Sequence, residues 1–288
     1  MTRKSPQNQE VETTGHSWDG IEELNNPLPK WWLYTLYVTI VWAFIYALAY
    51  PAWPGLRGAS AGFLGFSTRG EVAGDIARFE ALNASIDSAL AAADLTEITP
   101  GSDLYTYALN AGHSVFLNNC AQCHGAGAAG NVGYPNLLDD DWLWGGTLAD
   151  IQYSVTHGVR NTDDADARYS QMPKFGADGI LEDAQIAQVV NYVLQISGQD
   201  FDAGLARAGA AVFEDNCTAC HGADGTGMRA FGAPDLTDAI WLYGGDAVTL
   251  TDSVTNARFG VMPAMGLRLS SAEVNAVVTY VHAQGGGE

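Results

Sequence analysis

The first strong feature of the hydrophobic pattern is an uncharged run of twenty residues, from Trp31 to Tyr50. A helix of about twenty apolar residues is long enough to cross the hydrocarbon core of a membrane. Aromatic residues stand at both ends of the run, as they do at membrane–water interfaces. Pro51 and Pro54 end the predicted helix. The pattern therefore predicts a transmembrane helix over residues 31–51.

A cleaved signal peptide is the alternative interpretation, because Ala47-Leu48-Ala49 fits the small-x-small pattern of a cleavage site. Against it stand a thirty-residue polar leader and an apolar stretch longer than a signal core. We therefore predict a retained single-pass anchor. The flanking charges do not predict its orientation, because three basic residues precede the run and three follow it: Arg3, Lys4 and Lys30, then Arg57, Arg69 and Arg78.

The next stretch, residues 52–103, is predicted to be a connector that is partly helical. Residues 52–66 are rich in Gly and Ala, and an Ala-rich segment from Thr68 to about Ala93 favours a helix. Thr99-Pro100-Gly101 ends this segment.

From Leu104 onward the sequence repeats itself. Gly112, Phe116 and Cys120 are four residues apart, and Gly209, Phe213 and Cys217 have the same spacing, which predicts one face of a helix in each repeat. Each repeat also holds a Met-Pro pair and closes with an amphipathic helix, and the second of these opens with a Ser270–Glu273 capping box. We predict an all-α chain with two tandem domains, residues 104–198 and 199–288.

The repeated helix leads into the same motif, Cys120-Ala121-Gln122-Cys123-His124 and Cys217-Thr218-Ala219-Cys220-His221. Cys-x-x-Cys-His is the attachment site of c-type haem, in which two thiols bind one porphyrin and the histidine binds the iron. A thioredoxin-type motif lacks the histidine, and a zinc ribbon places its second cysteine pair about 15–20 residues away rather than ninety-seven. All four cysteines fall in the motifs, so the sequence predicts two covalent haem c groups. Each repeat then has the order of a cytochrome c domain: helix, haem motif, loops, methionine, helix.

His124 and His221 are the predicted proximal iron ligands. Met172 and Met262 are the predicted distal ligands, because each precedes a proline in a loop before the final helix. Met265 is the main rival of Met262, and the other candidates are Met228, His16, His113, His157 and His282. Trp142 and Trp241 are candidates for packing on haem or in the core, and Arg160 and Arg258 for pairing with haem propionates. An iron with histidine and methionine ligands has no open position for a substrate, so the pattern predicts electron transfer rather than catalysis.

The net charge of the chain argues against one class of binding partner. The chain has 33 acidic residues against 13 Lys and Arg, a net charge of −20. This surplus repels phosphate, so nucleic acid is not an expected partner. Residues 104–198 carry ten acids against three bases, and residues 199–288 carry eleven against four. The charge has two interpretations that stay open, solubility and the steering of a basic partner.

The leader from Gly15 to Trp32 (GHSWDGIEELNNPLPKWW) resembles that of the dihaem subunit CcoP, also called FixP, of cbb(3)-type cytochrome c oxidases. With the anchor and both haem motifs, the resemblance covers nearly the whole chain. It implies a subunit that passes electrons from a cytochrome c donor, via a monohaem subunit, towards the catalytic oxygen-reducing subunit. Because haem c is attached on the periplasmic side of the bacterial inner membrane, residues 1–30 are then cytoplasmic and the haem domains periplasmic.

The resemblance also implies that the methionines are exchanged between the domains, so that His124 pairs with Met262 and His221 with Met172. Position in the sequence alone pairs each methionine with its own domain. The exchange is therefore a hypothesis of the resemblance. It is weakly supported by the Met-Pro pairs, which lie ninety residues apart, whereas the repeated residues Pro135 and Trp142 lie ninety-nine residues before Pro234 and Trp241.

Two other functions remain open at this point. The chain could be a free-standing membrane-anchored dihaem carrier, or an enzyme of the dihaem peroxidase type. A peroxidase needs one haem with an accessible face, and a Met-Pro pair in each repeat argues against that.

Overall fold

The computed structural model describes residues 11–56 and 58–288. The chain divides into two compact units, Met1–Leu82 and Asn83–Glu288, and each is described by itself. The predictions about Arg3, Lys4 and Arg57 lie outside the described residues.

The first unit begins with a hairpin that the sequence analysis did not predict. Strand β1 (Thr13–Trp18) pairs antiparallel with β2 (Ile21–Leu24). The turn between them is Asp19-Gly20, with φ values of 51° and 82°. A two-residue hairpin turn requires positive φ at both positions, and Asp-Gly is one of the sequences that favour it.

Helix α1 (Lys30–Ala49) covers the predicted membrane span almost residue for residue. Among the described residues it is the one helix long and apolar enough to cross a membrane. Its side chains are largely exposed, and Ala49 at its end is buried. An apolar helix with an exposed surface is what a lipid-facing span requires.

The segment after α1 folds back on the end of that helix. The short strands β3 (Pro54–Gly55) and β4 (Gly58–Ala59) pair, and the Phe63 and Leu64 amides then donate to the Leu48 and Ala49 carbonyls, both at 3.1 Å. The chain continues as α2 (Thr68–Ala92), which confirms the helix predicted there.

The described part of the second unit is helical, and its helices follow the predicted order in each repeat. Those of the first repeat are α3 (Asp103–Asn119), α4 (Ala121–His124), α5 (Leu148–His157) and α6 (Asp183–Ile196). Those of the second are α7 (Ala203–Asn216), α8 (Thr218–His221), α9 (Ala247–Asn256) and α10 (Ser271–His282). The predicted Ser270–Glu273 capping box is present. A mostly helical chain with one N-terminal span confirms the predicted fold class.

The helices do not pair within their own repeats. Helix α6 packs on α7, which follows it after the short 197–202 connection, while α3 packs on α10 at the far end of the chain. A short loop makes consecutive helices antiparallel neighbours. Once α6 is paired with α7, α3 and α10 are left to pack on each other.

The hydrophobic interior follows this pairing and forms two large clusters, beside a smaller third one of Leu90, Ala108 and Ala276. Core A joins the start of the first repeat to the end of the second, and its buried residues are Leu95, Val115, Phe116, Ala128, Ile151, Val155, Met265, Val274, Val277, Val278 and Val281. Core B comes from the middle of the chain, with Phe175, Leu181, Ile186, Val189, Val190, Val193, Leu194, Val212, Phe213 and Leu250. The sequence repeats and the packing units are therefore different divisions of the same chain.

Candidate haem sites

Each Cys-x-x-Cys-His motif forms one helical turn at the end of a longer helix, with its histidine held by a backbone carbonyl. The His124 Nδ1 atom lies 2.9 Å from the Pro135 carbonyl oxygen, and His221 Nδ1 lies 3.1 Å from that of Pro234. A carbonyl only accepts, so Nδ1 carries the proton and Nε2 is left as the free ligand atom. Burial lowers the pKa of both imidazoles, which keeps them neutral and able to bind a metal.

The loops that supply these carbonyls are closed in the same way. The amides of Gly130 and Gly227 each donate to the carbonyl of the preceding histidine, at 2.8 Å. Both glycines have positive φ, 71° and 79°, and a Cβ on either would overlap the backbone that leads to the proline. Glycine is needed at these positions because it adopts positive φ without steric cost. Pro135 and Pro234 are thereby fixed relative to the histidines.

The cysteines fit thioether attachment. All four are free thiols, and Cys120 and Cys217 are partly buried where a long helix ends and the short turn begins. Burial, with a smaller contribution from the second cysteine of each motif, raises the pKa of both thiols to about 11. The donor set at each site is therefore two cysteine thiols and one imidazole with a free Nε2 atom, at one helical turn. This set fits haem c.

The two predicted distal methionines lie against different cores. Met262 packs against core A, which also contacts Cys120, whereas Met172 packs against core B, which also contacts Cys217. The Met262 backbone is held by a two-way pair with Val159, at 2.9 and 3.0 Å. Each methionine is thus grouped with the haem motif of the other repeat.

The structure places most of the other candidate residues in contact with neighbouring protein groups. Met265 is buried in core A, and Met228 is exposed beside an isolated bridge to Ala233. The His113 ring packs on Tyr280 and the His16 ring on Trp18. The His157 ring packs on Tyr153 and is hydrogen-bonded to Asp164. The His282 ring is hydrogen-bonded to the Glu288 carbonyl. Trp142 packs against core A and Trp241 against core B. Arg258 pairs with Asp252, and Arg160 donates to backbone carbonyls.

Comparison with known proteins identifies the chain. Residues 10–57 match the model of the N-terminal domain of cytochrome oxidase-cbb3, FixP. Residues 109–197 match cytochrome c, and residues 204–281 match cytochrome c oxidase, cbb3-type, subunit III. A cbb3-type cytochrome c oxidase subunit CcoP from Cereibacter sphaeroides is 62% identical over 279 residues, covering 97% of this chain and 96% of the relative. The chain belongs to the CcoP/FixP family.

Other members of the CcoP/FixP family are also similar along their length. A CcoP from Rhodobacter capsulatus is 52% identical over 297 residues and covers both chains completely. A FixP from Azorhizobium caulinodans is 49% identical over 277 residues, with 96% and 94% covered. The resemblance carried by the leader is thereby confirmed, and the matched cytochrome c domains imply haem c binding.

The structure also reveals a second internal repeat that the sequence analysis recognised only in part. Arg168-Tyr169-Ser170-Gln171-Met172-Pro173 corresponds to Arg258-Phe259-Gly260-Val261-Met262-Pro263, ninety residues later. We call these six-residue stretches the methionine segments. The guanidinium of Arg168 lies 5.6 Å from the Trp144 ring, and that of Arg258 lies 5.4 Å from the Tyr243 ring. Comparing the flanks of the two Met-Pro pairs would have revealed this repeat, whereas the offset of ninety-nine hides it.

An acidic cleft lies between the repeats and carries a perturbed carboxyl group. Burial raises the pKa of Asp141 to about 6, with further contributions from the negative charges of Asp238, Asp139, Asp235 and Asp140. Asp141 and Asp139 line this cleft with Pro135, whose carbonyl holds His124. The cleft concentrates negative charge beside the first haem motif.

Proposed function

We propose that this chain takes electrons one at a time from a cytochrome c donor and passes them towards the catalytic subunit of a cbb(3)-type oxidase. The observation that carries the proposal is the pair of closely matched histidine sites within one compact unit, on a chain with one membrane helix among its described residues. Haem c at each site supplies one-electron chemistry between ferric and ferrous iron. The protein binds, orients and shields these groups.

Each site is proposed to bind one haem covalently, through Cys120 and Cys123 and through Cys217 and Cys220. His124 and Met262 would be the axial ligands at the first site, and His221 and Met172 at the second. The grouping of Met262 with Cys120 in core A, and of Met172 with Cys217 in core B, supports this exchanged pairing. The boundary between residues 104–198 and 199–288 stays a prediction about the sequence repeats.

The chain is proposed not to be an enzyme by itself. A haem iron held by both a histidine and a methionine would have no open position for a substrate. Its partners would be the catalytic subunit, the monohaem cytochrome c subunit and a cytochrome c donor. The acidic surplus of both repeats would attract a basic donor and raise its association rate.

The chain is proposed to lie in the bacterial inner membrane, with residues 1–30 in the cytoplasm and the haem sites in the periplasm. Val41→Arg, at an exposed position within α1, is expected to cost about 2.5–3.5 kcal/mol of insertion free energy. Alkaline extraction of membranes should then release more of the variant than of the wild type. Leu28→Arg, before the helix begins, is the control and should remain in the membrane. A purified wild-type chain whose N-terminus begins after Ala49 would contradict the retained anchor.

The proposed function is tested by purifying the tagged full-length chain from its membranes in mild detergent. We expect two haem c groups per chain, together with copper and b-type haem from the catalytic subunit. A chain that purifies with haem c but without copper or b-type haem would instead be a free-standing carrier. Rapid binding of carbon monoxide to the reduced, isolated chain would contradict closed iron sites.

A further inference from the structure

The two methionine segments meet between the repeats. The Tyr169 and Phe259 rings, at equivalent positions of the two segments, are 6.4 Å apart in an edge contact. Each segment reaches a proposed iron ligand within a few residues of its aromatic ring. The contact between the two rings therefore lies close in sequence to both ligands. A residue that contacts both segments here can therefore fix the position of both.

Arg160 is such a residue. Its Nε atom donates to the Ser170 carbonyl at 2.6 Å, and its Nη1 atom donates to the Gly260 carbonyl at 3.3 Å. Each of these carbonyls lies two residues before the methionine of its segment. The guanidinium also lies 5.7 Å from the centre of the Phe259 ring. One planar group therefore contacts both segments.

The backbone at Arg160 is constrained in support of these contacts. Its φ is 52°, in the left-handed region that residues other than glycine seldom occupy. Such conformations persist where the surrounding structure over-determines them. Here the Arg160 amide donates to the Arg168 carbonyl at 2.7 Å, at the start of the first methionine segment. Arg160 is therefore hydrogen-bonded to the first methionine segment through both its main chain and its side chain.

We propose that Arg160 is a positioning residue that holds both methionine segments, so that methionine binding at the two iron sites is coupled through its guanidinium. The proposal rests on the proposed function, since it takes Met172 and Met262 as the distal ligands. It also departs from the expectation that Arg160 pairs with a haem propionate, because two of its donors are engaged by backbone carbonyls.

Lysine cannot replace arginine in this arrangement. A guanidinium is a rigid plane with donors pointing in fixed directions, whereas an ammonium is a single flexible point charge. Arg160 is partly buried, and burial lowers the pKa of its guanidinium, so the group needs its hydrogen-bond partners. An ammonium at this position would have to divide its donors between two carbonyls that the guanidinium reaches from two separate nitrogen atoms, so both contacts would weaken.

The test is an imidazole titration of the full-length, haem-loaded ferric chain, comparing wild type with Arg160→Lys. Imidazole competes with methionine for iron, so its affinity rises as methionine binding weakens. The charge-transfer band of methionine-bound ferric haem reports how many sites have lost methionine. Losing a hydrogen bond to a charged group is expected to increase imidazole affinity about tenfold, at both sites.

Arg258→Lys is the matched control. Arg258 lies in the second methionine segment, pairs with Asp252 and packs on Tyr243, so its loss should affect at most one site and half of the band. If Arg160→Lys does not accumulate with both haems, Phe259→Leu replaces it. This change removes the aromatic face and leaves every donor, and about a threefold increase at both sites is expected.

The possible results distinguish a failure of the Arg160 proposal from a failure of the proposed function. Tighter imidazole binding at both sites supports the coupling. A change at one site, or at neither, overturns it while leaving the electron-transfer function intact. A wild-type chain with no methionine band would overturn the ligand assignment, and this proposal with it.

Discussion

Replacing Met262 with alanine is expected to convert the haem proposed to be attached through Cys120 and Cys123 to a high-spin form, and to leave the other haem unchanged. The reason is that Met262 packs against the core that contacts Cys120, although 142 residues separate the two in the sequence. Methionine as the sixth ligand raises the reduction potential of haem iron. Its loss should lower the potential of the affected haem by on the order of 100 mV.

The affected haem is assigned in chains that keep a single attachment site. With Cys217 and Cys220 replaced by serine, Met262→Ala should change the remaining haem and Met172→Ala should not. Redox titration monitored by absorbance measures both potential and spin state. Met265→Ala is the control, because Met265 is buried in core A and its loss weakens packing without removing the proposed ligand. If Met172→Ala alters the haem on His124 instead, the exchanged pairing is wrong.

Gly112→Ala is expected to destabilise the haem-loaded chain by about 3 kcal/mol and to reduce haem attachment at the first site. A Cβ at Gly112 would overlap the Ala276 carbonyl of α10, and backbone atoms cannot move aside as a flexible side chain can. Inserting atoms into a close-packed contact costs about 1–3 kcal/mol, and more where backbone must shift. The measurement is thermal unfolding, followed by near-UV circular dichroism, together with haem content.

Gly74→Ala provides the matched control, because Gly74 lies in helix α2 and a Cβ there would contact nothing within 4 Å. Removing glycine from an exposed helix interior should stabilise the protein by about 0.5–1 kcal/mol. Equal effects of the two substitutions would show that α3 does not pack closely on α10 in the folded chain.

The cysteine and histidine donors of the candidate haem sites could be proposed from the sequence, because their spacing is local. Cys120, Cys123 and His124 lie on one helical turn, so the spacing of the motif defines the donor set whatever the rest of the chain does. Pro135 was recognised as part of the repeat, but its carbonyl's role in holding His124 depends on a loop closed through Gly130 and was not predicted. The hairpin at Asp19-Gly20 was also missed, although that dipeptide is a hairpin signal.

The sequence by itself determined the long apolar helix, the order of helices in each repeat and the placement of each cysteine–histidine motif on one helical turn, since each follows from contacts between near neighbours along the chain. Only the tertiary structure decided which helices pack together and which methionine lies with which haem motif. Both depend on contacts between surfaces that are far apart in the sequence, such as the contact of Gly112 on α3 with Ala276 on α10. The short connection between α6 and α7 favours their pairing. Helices α3 and α10 are then left to pack on each other. No local pattern of hydrophobic residues distinguishes that arrangement from two separate domains.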